Sequence, residues 1–137
     1  MVSVSIVRLG SPRLPNEGLR LGTVRRPPRG VPRADFARRD FYDLWLPTLA
    51  PSESLLKQIQ RAPAERPEES RRAWRTFERG FRAEMRLPDA THLLDLLAAL
   101  SHQTNFAVGC YCQDDARCHR SILRQLLTER GAEFRKL

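Results

Sequence analysis

The pattern of hydrophobic and polar positions predicts two strands near the start of the chain. Residues 2–8 alternate as a half-buried strand does, and residues 19–24 form a second short apolar run. Between the two runs lies a polar turn that contains prolines, an asparagine and a glycine. Because Pro27 and Pro28 cannot join a regular ladder, we expect the second strand to end in a loop over residues 25–30.

The next part of the chain shows helical spacing instead. Residues 34–49 predict short helical turns around a hydrophobic anchor formed by Phe36, Phe41, Leu44 and Trp45. Ser52 is a favourable N-cap for a short helix that ends near residue 62. The polar residues 63–69 include two prolines, which indicate a linker between helices.

One helix has a particularly regular apolar stripe. Trp74, Phe77, Phe81 and Met85 recur at steps of three, four and four, so they share one helical face. We interpret this stripe as part of the core rather than as a platform for stacking bases. A second, broadly apolar helix begins between residues 88 and 91, and its composition predicts that it packs against the sheet.

The end of the chain returns to a strand and then to a helix. Residues 106–112 predict a buried strand, and residues 119–130 predict a helix that ends at Gly131. Residues 132–137 either add an edge strand or fray. Strands separated by helices favour a mostly parallel sheet flanked by helices, so we expect one α/β layered, Rossmann-like domain over residues 1–137.

Composition narrows the class of protein. Hydrophobic residues make up 41% of the chain and charged residues 29%, which is ordinary for a globular protein. No apolar run approaches the ~20 residues of a membrane span, and no signal peptide opens the chain. We therefore expect a cytoplasmic protein without membrane contact. In that compartment the three cysteines would serve as thiols, metal ligands or redox partners rather than as structural disulfides.

The charge balance leaves two interpretations open. The formal net charge is +8, and all 24 cationic residues except Lys57 and Lys136 are arginines. Such a preference for arginine can come from genome composition alone. However, the first forty residues hold nine arginines against three acidic residues. An anionic ligand, a nucleotide or a nucleic acid would therefore suit this end of the chain.

All three cysteines fall within one stretch of eleven residues, which reads CYCQDDARCHR from Cys110 to Arg120. The predicted strand precedes this stretch and the predicted last helix follows it. Open α/β sheets bind ligands at the carboxyl ends of their strands, where this stretch would lie. The sequence thus places the chemistry of the protein here without specifying its reaction.

One interpretation of this stretch is nucleophilic catalysis. A helix N-terminus and neighbouring cations both stabilise a thiolate, and Cys118 would have both features. Cys110 and Cys112 would then supply a nucleophile with a resolving thiol, with Cys112 intermediate in reactivity. The acidic pair Asp114 and Asp115 argues against this interpretation, since negative charge opposes thiolate formation.

Two other interpretations compete with catalysis. The three cysteines and His119 offer four ligands that would suit zinc. Their spacing is poor for one ion, however, because the adjacent Cys118 and His119 rarely converge, so we expect neither a metal nor another cofactor. The third interpretation is that the cysteines pack as small hydrophobic side chains. It suits Cys110 well and could also hold for Cys112, but it does not suit Cys118, which has charged sequence neighbours.

The chain resembles the bacterial and archaeal family known as domain of unknown function 488. Three segments carry this resemblance, in the same order as in the family: Gly18-Leu19-Arg20 with Arg25 and Pro28-Arg29-Gly30; Leu49-Ala50-Pro51-Ser52 followed by Leu55; and Cys110 with Cys118-His119-Arg120. The chain departs from the family pattern at Val24, Pro27 and Cys112, where members often have Asp, Trp and Glu. The resemblance implies a compact α/β domain in which the motif ends meet in one pocket, and it implies no established activity.

These observations give two hypotheses for function. The first is a small enzyme with a Cys/His/Arg pocket that acts on a phosphate-bearing or other anionic ligand, such as a nucleotide. Its predicted catalytic residues are Cys118, His119, Cys110 and Arg120, and its predicted ligand-binding residues are Arg20, Arg25 and Arg29. The alternative is a non-catalytic module that binds nucleic acid through its arginines.

Overall fold

The computed structural model describes residues 2–113 and 117–136 and shows a small parallel sheet with four helices. The strands are β1 (Val4–Arg8), β2 (Leu19–Gly22), β3 (Leu44–Trp45) and β4 (Phe106–Cys110). The helices are α1 (Glu53–Gln60), α2 (Pro67–Glu84), α3 (Pro88–Leu100) and α4 (His119–Glu129). The strand order is β1-β4-β2-β3 and all pairings are parallel, which confirms the predicted α/β layered fold.

Strand β4, from the second half of the chain, is one of the two inner strands of the sheet. Strand β4 lies between β1 and β2, and all five of its residues are buried. This explains why its sequence is a continuous apolar run, as parallel strands covered on both faces require. The register of β4 with β1 pairs Arg8 with Cys110, so Cys110 marks the carboxyl end of the strand.

The apolar stripe of α2 packs into the core, as predicted. Phe77, Phe81 and Met85 are buried, whereas Trp74 at the start of the stripe is only half-buried. Ser52 caps α1 through its hydroxyl, which accepts a hydrogen bond from the backbone N–H of Leu55 at 3.3 Å. In the part of the chain that the structure describes, no helix combines the length and hydrophobicity needed to cross a bilayer.

Several predicted segments differ from the structure, among them the strand predicted over residues 19–24, which ends at Gly22. The strand predicted over residues 106–112 ends at Cys110, so Cys112 lies beyond the sheet. The predicted linker over residues 63–69 is shorter, because Pro67 occupies the first turn of α2, where its missing N–H leaves no donor unpaired. The helical turns predicted over residues 34–49 are interrupted by β3, a two-residue strand too short to produce a periodic signal.

The C-terminal segment adds a single bridge to the sheet. Phe134 pairs with Val4 in parallel, and the backbone N–H of Arg135 donates to the carbonyl of Val4 at 2.7 Å. Of the two predicted outcomes for this segment, an edge strand or fraying, the structure is closer to the edge strand.

Candidate functional site

A cavity of about 900 Å³ opens where β2 and β4 end. Residues after β2 form one side, residues 110–112 and 117–119 form the base, and side chains of α1 and α2 form the other side. The strand ends of a parallel sheet are the usual place for a ligand site in this fold class. The cysteine-containing residues 110–112 and 117–119 and the arginine-rich loop after β2 therefore line one cavity.

The nucleophile candidate Cys118 lies in the wall of this cavity. It is the N-cap residue of α4, with extended backbone angles, and its carbonyl accepts the hydrogen bond from the N–H of Ser121 at 3.0 Å. Its side chain is buried against the cavity. The positive end of the helix dipole thus lies beside the sulfur and favours a thiolate.

His119 is oriented by Thr23, the residue that follows β2. Its Nε2 lies 2.5 Å from the carbonyl oxygen of Thr23, and a carbonyl only accepts, so Nε2 carries a proton. The other nitrogen, Nδ1, lies 3.6 Å from the sulfur of Cys118. The ring also packs edge-on against Phe81. This arrangement leaves Nδ1 free to take the thiol proton and to stabilise the resulting thiolate.

Three thiols come together beside His119 and form the thiol cluster, which consists of Cys110, Cys112 and Cys118. Their sulfur atoms all lie within 4.8 Å of one another, and those of Cys110 and Cys112 are 3.7 Å apart. Cys110 and Cys118 are buried, whereas Cys112 is exposed. All three are free of disulfide bonds.

The three thiols of the cluster differ in the direction of their pKa shifts. Hydrogen bonds from Cys110 and then Cys112 lower the pKa of the Cys118 thiol well below its usual value, with His119 adding to the effect against the opposing effect of burial. Hydrogen bonding to Cys112 and Cys118, together with burial, raises the pKa of Cys110. The pKa of Cys112 is also raised: its hydrogen bond with Cys110 acts to lower it, but bonding to Cys118 and burial outweigh that effect. These directions favour Cys118 as the thiol of the cluster that ionises first.

The cavity also carries a cationic rim, formed by Arg26, Arg29, Lys57 and Arg117. All four side chains are exposed. Arg26 pairs with Glu53, and Arg117 donates to the hydroxyl of Ser70 at 3.3 Å. Among the described residues no carboxylate pairs with the other cations of the rim. An anion in the cavity would therefore meet positive charge that the described protein only partly neutralises.

Arg25 lies at the same cavity but has a structural partner. Its guanidinium donates to the carbonyls of Pro51 and Ala50, each at 3.0 Å. It thereby joins the loop after β2 to the segment that caps α1.

Arg20 does not line the cavity in the described structure. Its side chain is fully buried and pairs with Glu17 through two 2.8 Å hydrogen bonds. Its remaining N–H groups donate to the carbonyls of Ser11, Pro12 and Asp40. Gly18 lies beside this pair at a φ of +80°, and a Cβ there would come within 1.9 Å of the carbonyl oxygen of Asn105.

Arg120 is likewise turned away from the cavity. Its Nη1 donates to the carbonyl of Val7 at 2.7 Å, and its Nη2 donates to the carbonyl of Cys112 at 2.6 Å. Within the described residues its buried Nε has no acceptor. Arg120 thus holds Cys112 in position relative to α4 rather than facing a ligand.

Sequence reasoning missed Thr23, Lys57 and Trp74 as components of the site. Thr23 is fully buried, and its hydroxyl donates to the carbonyl of Gly109 at 2.9 Å. This hydrogen bond holds Thr23 in place, and the carbonyl of Thr23 in turn orients His119. A polar residue at the end of an apolar strand was the available signal. The positions of Lys57 and Trp74 at the cavity follow from how α1 and α2 pack, which local patterns do not specify.

The thiol cluster is the group of side chains that comes closest to a metal site among the described residues. It offers three sulfur donors, and His119 is not part of the group within 4.8 Å. A structural zinc site usually has four protein ligands, so the cluster is one donor short. The expectation that the protein holds no metal stays a prediction. Asp114 and Asp115, which sequence reasoning weighed against a thiolate, lie outside the described residues.

Comparison with known families agrees with the motifs. The family model described as the active DUF488-N3 subclade, DUF488-N3a, matches residues 4–131. That range includes all three resembling segments and the whole thiol cluster. The chain has no significant match among curated proteins or among solved structures. Since the match covers most of its length, the chain belongs to the DUF488 family.

Proposed function

We propose that this protein is a cysteine-dependent enzyme that acts on a phosphate-bearing or otherwise anionic ligand, with Cys118 as its nucleophile. One observation carries the proposal: the sulfur of Cys118 faces Nδ1 of an oriented histidine inside a cavity with a cationic rim. A thiolate that is stabilised in this way is the reactive form of cysteine. The description of the matching subclade as active is consistent with an enzyme.

Each nearby group has a role in such a reaction. His119 takes the thiol proton at Nδ1, and the Cys118 thiolate attacks the electrophilic centre of the ligand. The bond to the leaving group breaks, and that group receives the proton back from His119. The product is a covalent intermediate on Cys118, which water or another acceptor then releases. Arg120 acts as a positioning residue, because it contacts backbone carbonyls rather than the cavity.

The cavity also suggests the shape of the ligand. Opposite the thiol cluster lie apolar side chains, among them Trp74, Phe77 and Ile59. Trp74 stacks on Phe77 with ring centroids 5.2 Å apart, and it is only half-buried. A ligand with a flat apolar part and an anionic group, such as a nucleotide, would use both the apolar wall and the cationic rim. A cytoplasmic setting, in which thiols stay reduced, suits this chemistry.

Two alkylating reagents of nearly equal size test the proposal without knowledge of the ligand. Iodoacetate is anionic and iodoacetamide is neutral. The rate with iodoacetate divided by the rate with iodoacetamide at one cysteine therefore reports the local electrostatic potential. We expect this ratio at Cys118 to exceed that of the urea-unfolded chain by about ten-fold, since a cationic cavity concentrates anions. Mass spectrometry of tryptic peptides measures the rate at Cys118 separately, and fragmentation of peptide 87–117 distinguishes Cys110 from Cys112.

Variants then test which cationic side chain attracts the anionic reagent. Arg29→Gln should reduce the rate with iodoacetate and leave the rate with iodoacetamide unchanged. Arg39→Gln is the matched control, because Arg39 is also exposed but does not line the cavity. Equal ratios in the folded and unfolded wild-type protein would exclude an anion-attracting cavity. A fast reaction at Cys112 instead of Cys118 would exclude the assignment of the nucleophile.

The cationic rim also supports the alternative of a nucleic-acid-binding module without chemistry. In that case affinity for oligonucleotides would fall by about one log unit per log unit of salt for each phosphate neutralised. A salt titration with single- and double-stranded oligonucleotides therefore distinguishes the two functions. Absent or salt-insensitive binding, together with the alkylation result above, favours the enzyme.

A further inference from the structure

The thiol cluster contains more thiols than a single nucleophile needs. Cys118 alone serves the proposed attack, yet the sulfur of Cys112 lies within 4.8 Å of it. Cys112 is exposed and lies outside the strand that ends at Cys110. A second thiol within reach of a stabilised thiolate is the arrangement that dithiol redox sites use.

We propose that Cys112 and Cys118 form a reversible dithiol–disulfide couple that reduces hydrogen peroxide, with Cys118 as the attacking thiolate and Cys112 as the resolving thiol. This activity goes beyond the proposed action on an anionic ligand, although it rests on the same Cys118 thiolate. Hydrogen peroxide is small and neutral, so it needs only the opening of the cavity and neither the rim nor the apolar wall.

The chemistry balances in two steps. The Cys118 thiolate attacks one oxygen of hydrogen peroxide, the O–O bond breaks, and the departing hydroxide takes a proton from Nδ1 of His119 to leave as water. Sulfur is thereby oxidised to a sulfenic acid. The Cys112 sulfur then attacks the Cys118 sulfur, the S–O bond breaks, and the hydroxyl leaves as water with the proton of Cys112. Two thiols supply the two electrons, and a thiol reductant restores them.

The structure favours Cys112 over Cys110 as the resolving thiol. Disulfide formation must bring two sulfurs to about 2.05 Å, so one of the residues has to move. Cys110 is held in the central strand, paired with Arg8 and accepting a 2.9 Å hydrogen bond from the N–H of Leu9. Cys112 has no ladder partner and is held near Cys118 through its carbonyl by Arg120. Loss of the negative charge on Cys118 also removes one of the causes that raise the pKa of Cys112.

Tryptic mapping tests the couple directly. The reduced protein is treated with one equivalent of hydrogen peroxide, its remaining thiols are alkylated, and it is digested with trypsin. Cleavage after Arg117 separates Cys118 from the other two cysteines, so a disulfide links peptide 118–120 to peptide 87–117. We expect this linked pair in the wild type and in Cys110→Ser, and its complete loss after treatment with dithiothreitol.

The other variants assign the roles. In Cys112→Ser the linked pair should be lost, and Cys118 should accumulate as a sulfenic acid that dimedone labels. In Cys118→Ser no linked pair should form. A linked pair that persists in Cys112→Ser would overturn the choice of Cys112, since Cys110 would then be the partner. Oxidation of wild-type Cys118 without a link, or no oxidation at all, would overturn the couple itself.

The two proposals fail separately. A linked pair, together with equal iodoacetate-to-iodoacetamide rate ratios in the folded and unfolded protein, would retain the redox couple and remove the anionic ligand. A higher rate ratio in the folded than in the unfolded protein, without a linked pair, would retain the anionic ligand and remove the redox couple.

Discussion

Two arginine-rich regions of this protein use the same residue type in opposite ways. Around Arg20, every N–H of the guanidinium has a protein acceptor, and the paired carboxylate of Glu17 is almost fully buried. Around the cavity, Arg29 and Lys57 project from exposed positions, and no described carboxylate pairs with them. The first arrangement stabilises the fold, and the second leaves charge available for a ligand. The presence of an arginine in a shared motif therefore does not tell whether its side chain stabilises the fold or is available to a ligand.

The largest effect is expected where the buried pair is broken. Glu17→Gln leaves the Arg20 guanidinium charged and buried without its carboxylate, so we expect a loss of about 3–5 kcal/mol in the free energy of unfolding. Urea denaturation followed by circular dichroism measures it. A loss below about 1 kcal/mol would mean that the surrounding backbone carbonyls are enough to stabilise the buried charge of Arg20.

The same pair predicts an acid dependence of stability. Burial acts to raise the pKa of Glu17, but hydrogen bonds and charge from Arg20 outweigh it, so the net pKa is lowered. The stabilisation is therefore complete above the ordinary carboxyl pKa and is lost as the pH falls through the lowered value. Glu17→Gln should show a shallower decline of stability in acid than the wild type.

The third prediction concerns the pH dependence of the cavity thiol Cys118. Because the pKa of Cys118 is lowered, its thiolate persists as the pH falls. Its alkylation rate by iodoacetamide should change by less than about two-fold between pH 8 and pH 6, whereas a free thiol of pKa ~8.5 should slow by roughly a hundred-fold. The urea-unfolded protein serves as the control. A ten-fold decline per pH unit in the folded protein would contradict the thiolate assignment.

The smallest effect is expected at the exposed ion pair of the rim. Glu53→Gln removes the partner of Arg26, whose side chain is 74% exposed, so stability should change by less than about 1 kcal/mol. The substitution matches Glu17→Gln in chemistry and differs from it in burial. It should slightly raise the preference of Cys118 for iodoacetate, since one negative charge leaves the rim. A stability loss equal to that of Glu17→Gln would show that burial is not what separates the two pairs.

Local patterns predicted a large part of the fold. The apolar stripe of α2 and the cap of α1 depend on short-range spacing and on one hydroxyl, so both were visible in the sequence. The carboxyl end of the strand and the following helix likewise placed Cys110 and Cys118 near one another. Strand β3 was missed because its two residues are held by pairing with β2, which is a long-range contact.

The sequence alone determined the family, the α/β class and the location of the thiols between a strand and a helix, because periodicity and motif spacing are properties of neighbouring residues. Only the tertiary structure decided which groups meet. It paired Arg20 with Glu17, turned Arg25 and Arg120 toward carbonyls, and placed Nδ1 of His119 beside Cys118. These outcomes depend on how β2, β4 and α4 pack, and burial then fixes whether a charge is neutralised within the protein or left for a ligand.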